Sequence, residues 1–207
     1  MKAPLKKIRP ALLLVVVLAV AAIKVSADAL GGESGPLDET ILVFVHGHFP
    51  RTPTWLFEAI TATGSLSVML PLTVIATFSL LYVGRRLEAL LLAASVTTGA
   101  ATVYAVKMAV GRARPELWET AWYWGSSFPS GHTLVSAAFA TAAVICVGRI
   151  RPAALGFALA IAVSWILLVG FSRLVIGVHW PTDVLAAACI GVFLPLAMSM
   201  AFALRRA

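Results

Sequence analysis

Three short stretches hold residue types suited to acid–base and nucleophilic chemistry: KMAVGRARP from Lys107 to Pro115, FPSGH from Phe128 to His132, and SRLVIGVHWPTD from Ser172 to Asp183. In the third, His179 and Asp183 stand four residues apart, so the carboxylate can accept a hydrogen bond from one ring nitrogen. That bond fixes the tautomer and leaves the other nitrogen as nucleophile or base. Arg173 adds a planar cation matched to phosphate oxygens. In the second stretch, Ser130 is a good N-cap, so Gly131, His132 and Thr133 begin a helix with free backbone N–H groups. Such an end attracts anions, phosphate above all, and Gly131 lets a ligand approach the backbone closely. In the first stretch, Lys107 and Arg114 are two helical turns apart and share a face if the helix continues that far, with Gly111 and Pro115 loosening and ending it.

Singly, each stretch has a plain structural reading: a snorkelling lysine with headgroup arginines, a capped helix start, an interfacial His–Asp cap. Together they make a cationic cradle (Lys107, Arg114, Arg173), a turn with backbone donors (Ser130, Gly131), and two imidazoles with one carboxylate. Phosphoryl transfer needs that set: stabilised equatorial oxygens, an in-line nucleophile and an acid for the leaving group.

The elements that must position these residues are membrane helices. Of 207 residues 60% are apolar and only 12% charged, against about a quarter charged in soluble domains, and the mean hydropathy is +0.95. A span needs about twenty mostly apolar residues. The sequence offers Ala11–Leu30, Ser65–Val83, Leu87–Val110, Thr133–Gly148, Ala153–Phe171 and Val184–Leu204. The expected fold is therefore all-α: a polytopic six-transmembrane-helix bundle forming one domain over residues 1–207. The first span is the weakest, interrupted by Lys24 and Asp28. It also resembles a signal peptide, with Lys2, Lys6, Lys7 and Arg9 ahead of the apolar run and Val25-Ser26-Ala27 as a cleavage site.

The net charge of +7 would suggest nucleic acid in a soluble chain, but the basic residues collect in loops, where topology explains them. The N-terminal group, Arg85 and Arg86, Arg149 and Arg151, and Arg205 and Arg206 all fall on one side, which the positive-inside rule makes the cytoplasm. Both termini are then cytoplasmic, and the 111–132 and 172–183 loops face the periplasm or exterior. Between the first two spans, GGESGP (Gly31–Pro36) reads as a flexible turn and Thr52–Gly64 as a short amphipathic helix on the outer membrane surface. His46 and His48 read as solvated or interfacial rather than metal-binding, Cys146 and Cys189 as small buried residues. Trp118, Trp122, Tyr123 and Trp124 read as an aromatic belt, with lining of a lipid access path as the minority reading.

The three stretches resemble the tripartite signature of the type 2 phosphatidic acid phosphatase superfamily, membrane lipid phosphatases related to vanadium haloperoxidases. Its Lys-x6-Arg-Pro, Pro-Ser-Gly-His and Ser-Arg-x5-His-x3-Asp pattern is similar to Lys107…Arg114-Pro115, Pro129-Ser130-Gly131-His132 and Ser172-Arg173…His179…Asp183. The resemblance implies that His179 is a nucleophile forming a phosphohistidine, oriented by Asp183. It implies that His132 protonates the leaving oxygen, and that Lys107, Arg114, Ser130, Gly131 and Arg173 hold the phosphate. Ser172 is given only a supporting hydrogen bond. No metal or other cofactor is implied, and the partner is a membrane lipid such as undecaprenyl diphosphate, phosphatidylglycerophosphate, phosphatidic acid or a lipid A phosphate. A vanadate haloperoxidase and a non-catalytic lipid-binding or transport protein are the competing readings. The apolar helices do not select the lipid, and the oligomeric state stays open.

Overall fold

A computed structural model describes residues 5–32, 35–49, 54–120 and 123–204. Eight α-helices follow in chain order: α1 (Leu5–Gly31), α2 (Gly35–His48), α3 (Thr54–Ala62), α4 (Leu66–Tyr82), α5 (Arg86–Val110), α6 (Gly131–Ile150), α7 (Leu155–Val175) and α8 (Pro181–Leu204). Among the described residues, six apolar stretches are long enough to cross a membrane, carried by α1, α3 with α4, α5, α6, α7 and α8. Five of them fall within a few residues of the expected bounds, because spans are set by apolar run length; the second, expected over Ser65–Val83, extends back to Trp55 because α3 adds to it.

Helix α6 is the central post. Half of its apolar window is buried, against 11–33% for the other five, and it packs against α4, α5, α7 and α8. Its small residues (Ala137, Ala138, Ala140, Ala142) are buried, as close packing between membrane helices requires. The tightest approach is to α8. A Cβ on Gly191 would stand 2.5 Å from the Leu134 carbonyl oxygen and 2.7 Å from Ala137 Cβ. Gly191→Val therefore forces the two helices apart and costs about 1–3 kcal/mol. The expected result is a lower thermal midpoint in detergent, whereas Gly156→Ala, which meets nothing within 4 Å, leaves it unchanged. Met69, Val96 and Val135 form a second packed cluster joining α4, α5 and α6.

Helix α1 runs unbroken through Val25–Ala27, and the two charges that interrupt its apolar run are paired: Lys24 Nζ lies 3.0 Å from Asp28 Oδ2 one turn on. Val25 and Ala29 pack against Phe128 and Ala186, with Val106 and Val110 alongside. The C-terminal end of the weakest span thus braces the FPSGH loop.

The connection between the first two spans differs from expectation. Gly35 and Pro36, read as part of a flexible turn, already belong to α2 (Glu33 and Ser34 lie outside the described residues). At 14 residues α2 is too short to register as a span, and proline is at home in a first helical turn. The helix read over Thr52–Gly64 is present as α3, its first two residues again outside the described set. It packs on α7, burying Phe57 and Thr61.

Candidate active site

The residues singled out in sequence gather at one end of the bundle, the end opposite the Arg149–Glu88 contact. Helix α5 stops at Val110 because Gly111 takes a left-handed conformation (φ 64°), a common helix terminator. Lys107 and Arg114 therefore do not share a helical face. They meet by another route: Lys107 Nζ and Arg114 Nη2 both donate to the Ser126 carbonyl. Arg114 also donates to Val178 O at 2.8 Å and Trp124 O at 3.1 Å, pinning the loop just before His179.

Helix α6 begins at Gly131, as expected, with Ser130 in the N-cap place and fully buried. Its hydroxyl does not cap, however. It pairs with Thr133 Oγ1 at 3.0 Å, while the Ser130 N–H donates to the Asp183 carbonyl at 3.3 Å. Gly131 also has a packing reason: a Cβ would stand 3.2 Å from Val103 Cγ1 of α5. Arg173, 1% exposed, closes α7 and donates to Thr61 Oγ1 at 2.8 Å. One Tyr123 ring lies 4.8 Å from the Arg173 guanidinium carbon and 5.5 Å from that of Arg114, so both guanidinium groups face the same ring.

His179 is 2% exposed and Asp183 wholly buried. Nδ1 of the imidazole stands 3.5 Å from Asp183 Oδ2, beside the carboxylate but short of a closed hydrogen bond. Asp183 lies in the first turn of α8 and accepts the Trp180 N–H at 2.9 Å, the reach-back half of a capping box. Lys107, Arg114, Arg173 and His179 all lie within electrostatic reach of His132.

A family model described as the PAP2 superfamily matches residues 88–206, more than half of the chain. The chain belongs to the PAP2 superfamily. Among curated relatives it is 39% identical over 66 residues to phosphatidylglycerophosphatase B of Escherichia coli K12, covering 32% of this chain and 25% of that protein. It is 32% identical over 108 residues to lipid A 1-phosphatase of Rhizobium johnstonii, covering 47% and 41%. The chain thus aligns with well under half of these relatives' length. Two solved structures share the fold, each at 23% identity. One is a transmembrane PAP2-type phosphatidylglycerolphosphate phosphatase from Bacillus subtilis, with TM-score 0.74 over 94% of this chain and 96% of that one. The other is Aquifex aeolicus LpxE, with TM-score 0.64 over 79% and 95%. This PAP2 member is an integral, multi-pass membrane protein.

Electrostatics sharpen the site of this PAP2 protein. Burial above all, helped by the Arg173 and Arg114 charges, pushes the His179 imidazole down to about 4 against the opposing pull of Asp183. The ring is therefore neutral at physiological pH. Burial and then the neighbouring Arg173 also lower Arg114. Arginine starts so high that it keeps its charge. Arg114 Nε and Arg173 Nε are buried without a protein partner among the described residues, and buried guanidinium donors of that kind have the chemistry to bind an anion.

Sequence reasoning missed Arg112, Asp38, Thr182, Thr61 and Tyr123 as parts of this site. Arg112 Nη1 pairs with Asp183 Oδ1, and its Nη2 lies 2.8 Å from Asp38 Oδ2. Asp38 also accepts the Thr182 N–H at 2.9 Å and its hydroxyl at 2.6 Å. Arg112 stood inside a quoted motif, but spacing alone did not separate it from Arg114. Ser172 bonds back to Val169 O within α7 at 2.7 Å, so its hydroxyl serves its own helix. His46 stacks on Trp118 at 3.9 Å and His48 contacts Phe44 O. Trp118 in turn sits where a Gly177 Cβ would be, 2.5 Å from its Nε1. Gly177 has φ +80°, so glycine is required there twice over. Trp118 thereby packs against the loop that carries His179. Trp122 lies outside the described residues.

Proposed function

We propose that this protein is a membrane lipid phosphatase that removes a terminal phosphate from a lipid phosphate or diphosphate without a metal. The observation that carries the reading is a buried, neutral imidazole flanked by an anchored carboxylate on one side and by cations with unpartnered donors on the other. His179 Nε2 attacks phosphorus, forming a P–N bond as the P–O bond to the lipid breaks. His132 gives its proton to the departing oxygen and then takes one from the water that cleaves the phosphohistidine, releasing inorganic phosphate. Lys107, Arg114 and Arg173 neutralise the charge on the equatorial oxygens, with the Ser130–Gly131 turn alongside.

The site end of the bundle is assigned to the periplasmic or outer face of the bacterial inner membrane, with both termini cytoplasmic and α3 at the outer surface. Arg85, Arg86, Arg149 and Arg151 at the opposite end support this by the positive-inside rule. The residues that read phosphate are indifferent to the lipid tail. Phosphatidylglycerophosphate and lipid A 1-phosphate are the first substrates to try, because relatives with those names align here, followed by undecaprenyl diphosphate and phosphatidic acid. The test is phosphate release from this panel by purified protein in detergent, with and without a chelator. Release from at least one lipid, unchanged by the chelator, is expected; no release from any would sink the reading.

The lowered His179 value sets a pH profile. Protonation removes the attacking lone pair, so activity is present above the folded value and lost as pH falls through about 4. After normalisation for the substrate's own ionisation near about pH 6, kcat/KM should show its acid limb near 4 rather than near the ordinary imidazole value.

A further inference from the structure

We propose that Arg112 and Asp38 are positioning residues, a relay that aims the Asp183 carboxylate at His179 and keeps the Arg112 guanidinium out of the phosphate cradle. The inference rests on the phosphatase reading above.

The two oxygens of Asp183 have divided partners. Oδ2 faces His179 Nδ1 and accepts the Trp180 N–H, while Oδ1 is held by Arg112 Nη1. A carboxylate gripped at one oxygen can still turn about its terminal bond; gripped at both, it presents one fixed edge to the imidazole. The Arg112 grip is itself held. Its second terminal nitrogen pairs with Asp38, and Nη1 also reaches Thr182 Oγ1 at 3.0 Å. Asp38, 1% exposed, reaches from α2 to the first turn of α8, where a helix start favours a carboxylate, and fixes Thr182 through N–H and hydroxyl together. One guanidinium between two carboxylates has its charge offset and its forked donors occupied. Arg114 and Arg173, by contrast, each keep a buried Nε with no protein partner among the described residues. Two arginines two residues apart thus have opposite duties: Arg114 toward phosphate, Arg112 toward the nucleophile's carboxylate. Helix α2, absent from the sequence reading, acquires its role here.

The test measures kcat, KM and competitive inhibition by inorganic phosphate for Arg112→Gln, Asp38→Asn and the double variant, with Arg114→Gln beside them. For Arg112→Gln and Asp38→Asn, kcat should fall about 10- to 100-fold, the range seen when groups orienting a catalytic ligand are lost. KM and phosphate inhibition should stay within about twofold. The double variant should be no worse than Arg112→Gln alone, since both cut one chain. Arg114→Gln should weaken phosphate inhibition roughly tenfold or more. Should Arg112→Gln fail to fold, judged by gel filtration and thermal midpoint, Asp38→Asn decides. Unchanged kcat in the folded variants overturns the relay, as does weakened phosphate inhibition with kcat intact, which would make Arg112 a phosphate ligand. Wild type active with these results sinks the relay alone; wild type inactive on every lipid sinks the phosphatase reading and the relay with it.

Discussion

His179→Ala should reduce turnover by about 10⁴-fold or more, the scale expected when a covalent nucleophile is removed, with KM changed little. The reason for the split is spatial. Lys107 and Arg114 converge on the Ser126 carbonyl, and Arg114 and Arg173 share the Tyr123 ring. The cradle is therefore built from α5, α7 and the 111–130 loop, and does not depend on the imidazole. Substrate still binds, but no P–N bond can form. Quenching in alkaline denaturant, with the label on the substrate's phosphate, should trap an acid-labile, base-stable phosphoenzyme in wild type and none in the variant. His132→Ala is the informative contrast. It slows proton transfer to the leaving oxygen and from water, yet the nucleophile remains, so label should still appear on the protein. Equal turnover in wild type and His179→Ala would remove the proposed intermediate altogether.

The spans were legible because a bilayer demands long apolar runs, and no tertiary context can shorten them. The site was legible for a related reason. Charged and imidazole side chains at helix ends are costly in a membrane protein, so their clustering needs a cause. The readings that failed were local ones. Lys107 and Arg114 would share a face only if their helix continued that far; Gly111, read as loosening it, takes a left-handed conformation and ends α5, and the two cations meet through a loop carbonyl instead. Ser130 has the composition and backbone of an N-cap, yet its hydroxyl turns to Thr133. A cap residue's type does not fix its rotamer when a second hydroxyl lies within reach. Helix α2 and Asp38 were missed for a different reason. A single aspartate in a short apolar helix looks like a solvated residue until the N-terminus of α8, 144 positions away, is seen to cover it. Contacts at that sequence separation leave no periodic trace, so no pattern within the chain announces them.

Asp183→Asn carries the second large effect, expected at about 10³- to 10⁴-fold in kcat with KM near wild type. The substitution keeps the shape and removes the charge, and its consequence follows from what already surrounds the two oxygens. The amide can offer one acceptor, but donors approach from two sides: Arg112 Nη1 at one oxygen, the Trp180 N–H at the other. The charged guanidinium takes the acceptor. The amide NH₂ then faces the Trp180 N–H and His179 Nδ1. A donor opposite Nδ1 makes that nitrogen an acceptor and places the ring proton on Nε2, the nitrogen that must attack. The imidazole is still neutral and still in place, but it is the wrong tautomer, the effect that costs about 10⁴-fold when a triad aspartate becomes asparagine. One donor–donor clash remains in either amide orientation, so the variant should also lose about 1–3 kcal/mol of stability, read as a lower thermal midpoint. Phosphoenzyme formation should slow in step with kcat while inhibition by inorganic phosphate holds. Turnover within about tenfold of wild type would mean that Asp183 shapes the start of α8 and nothing more.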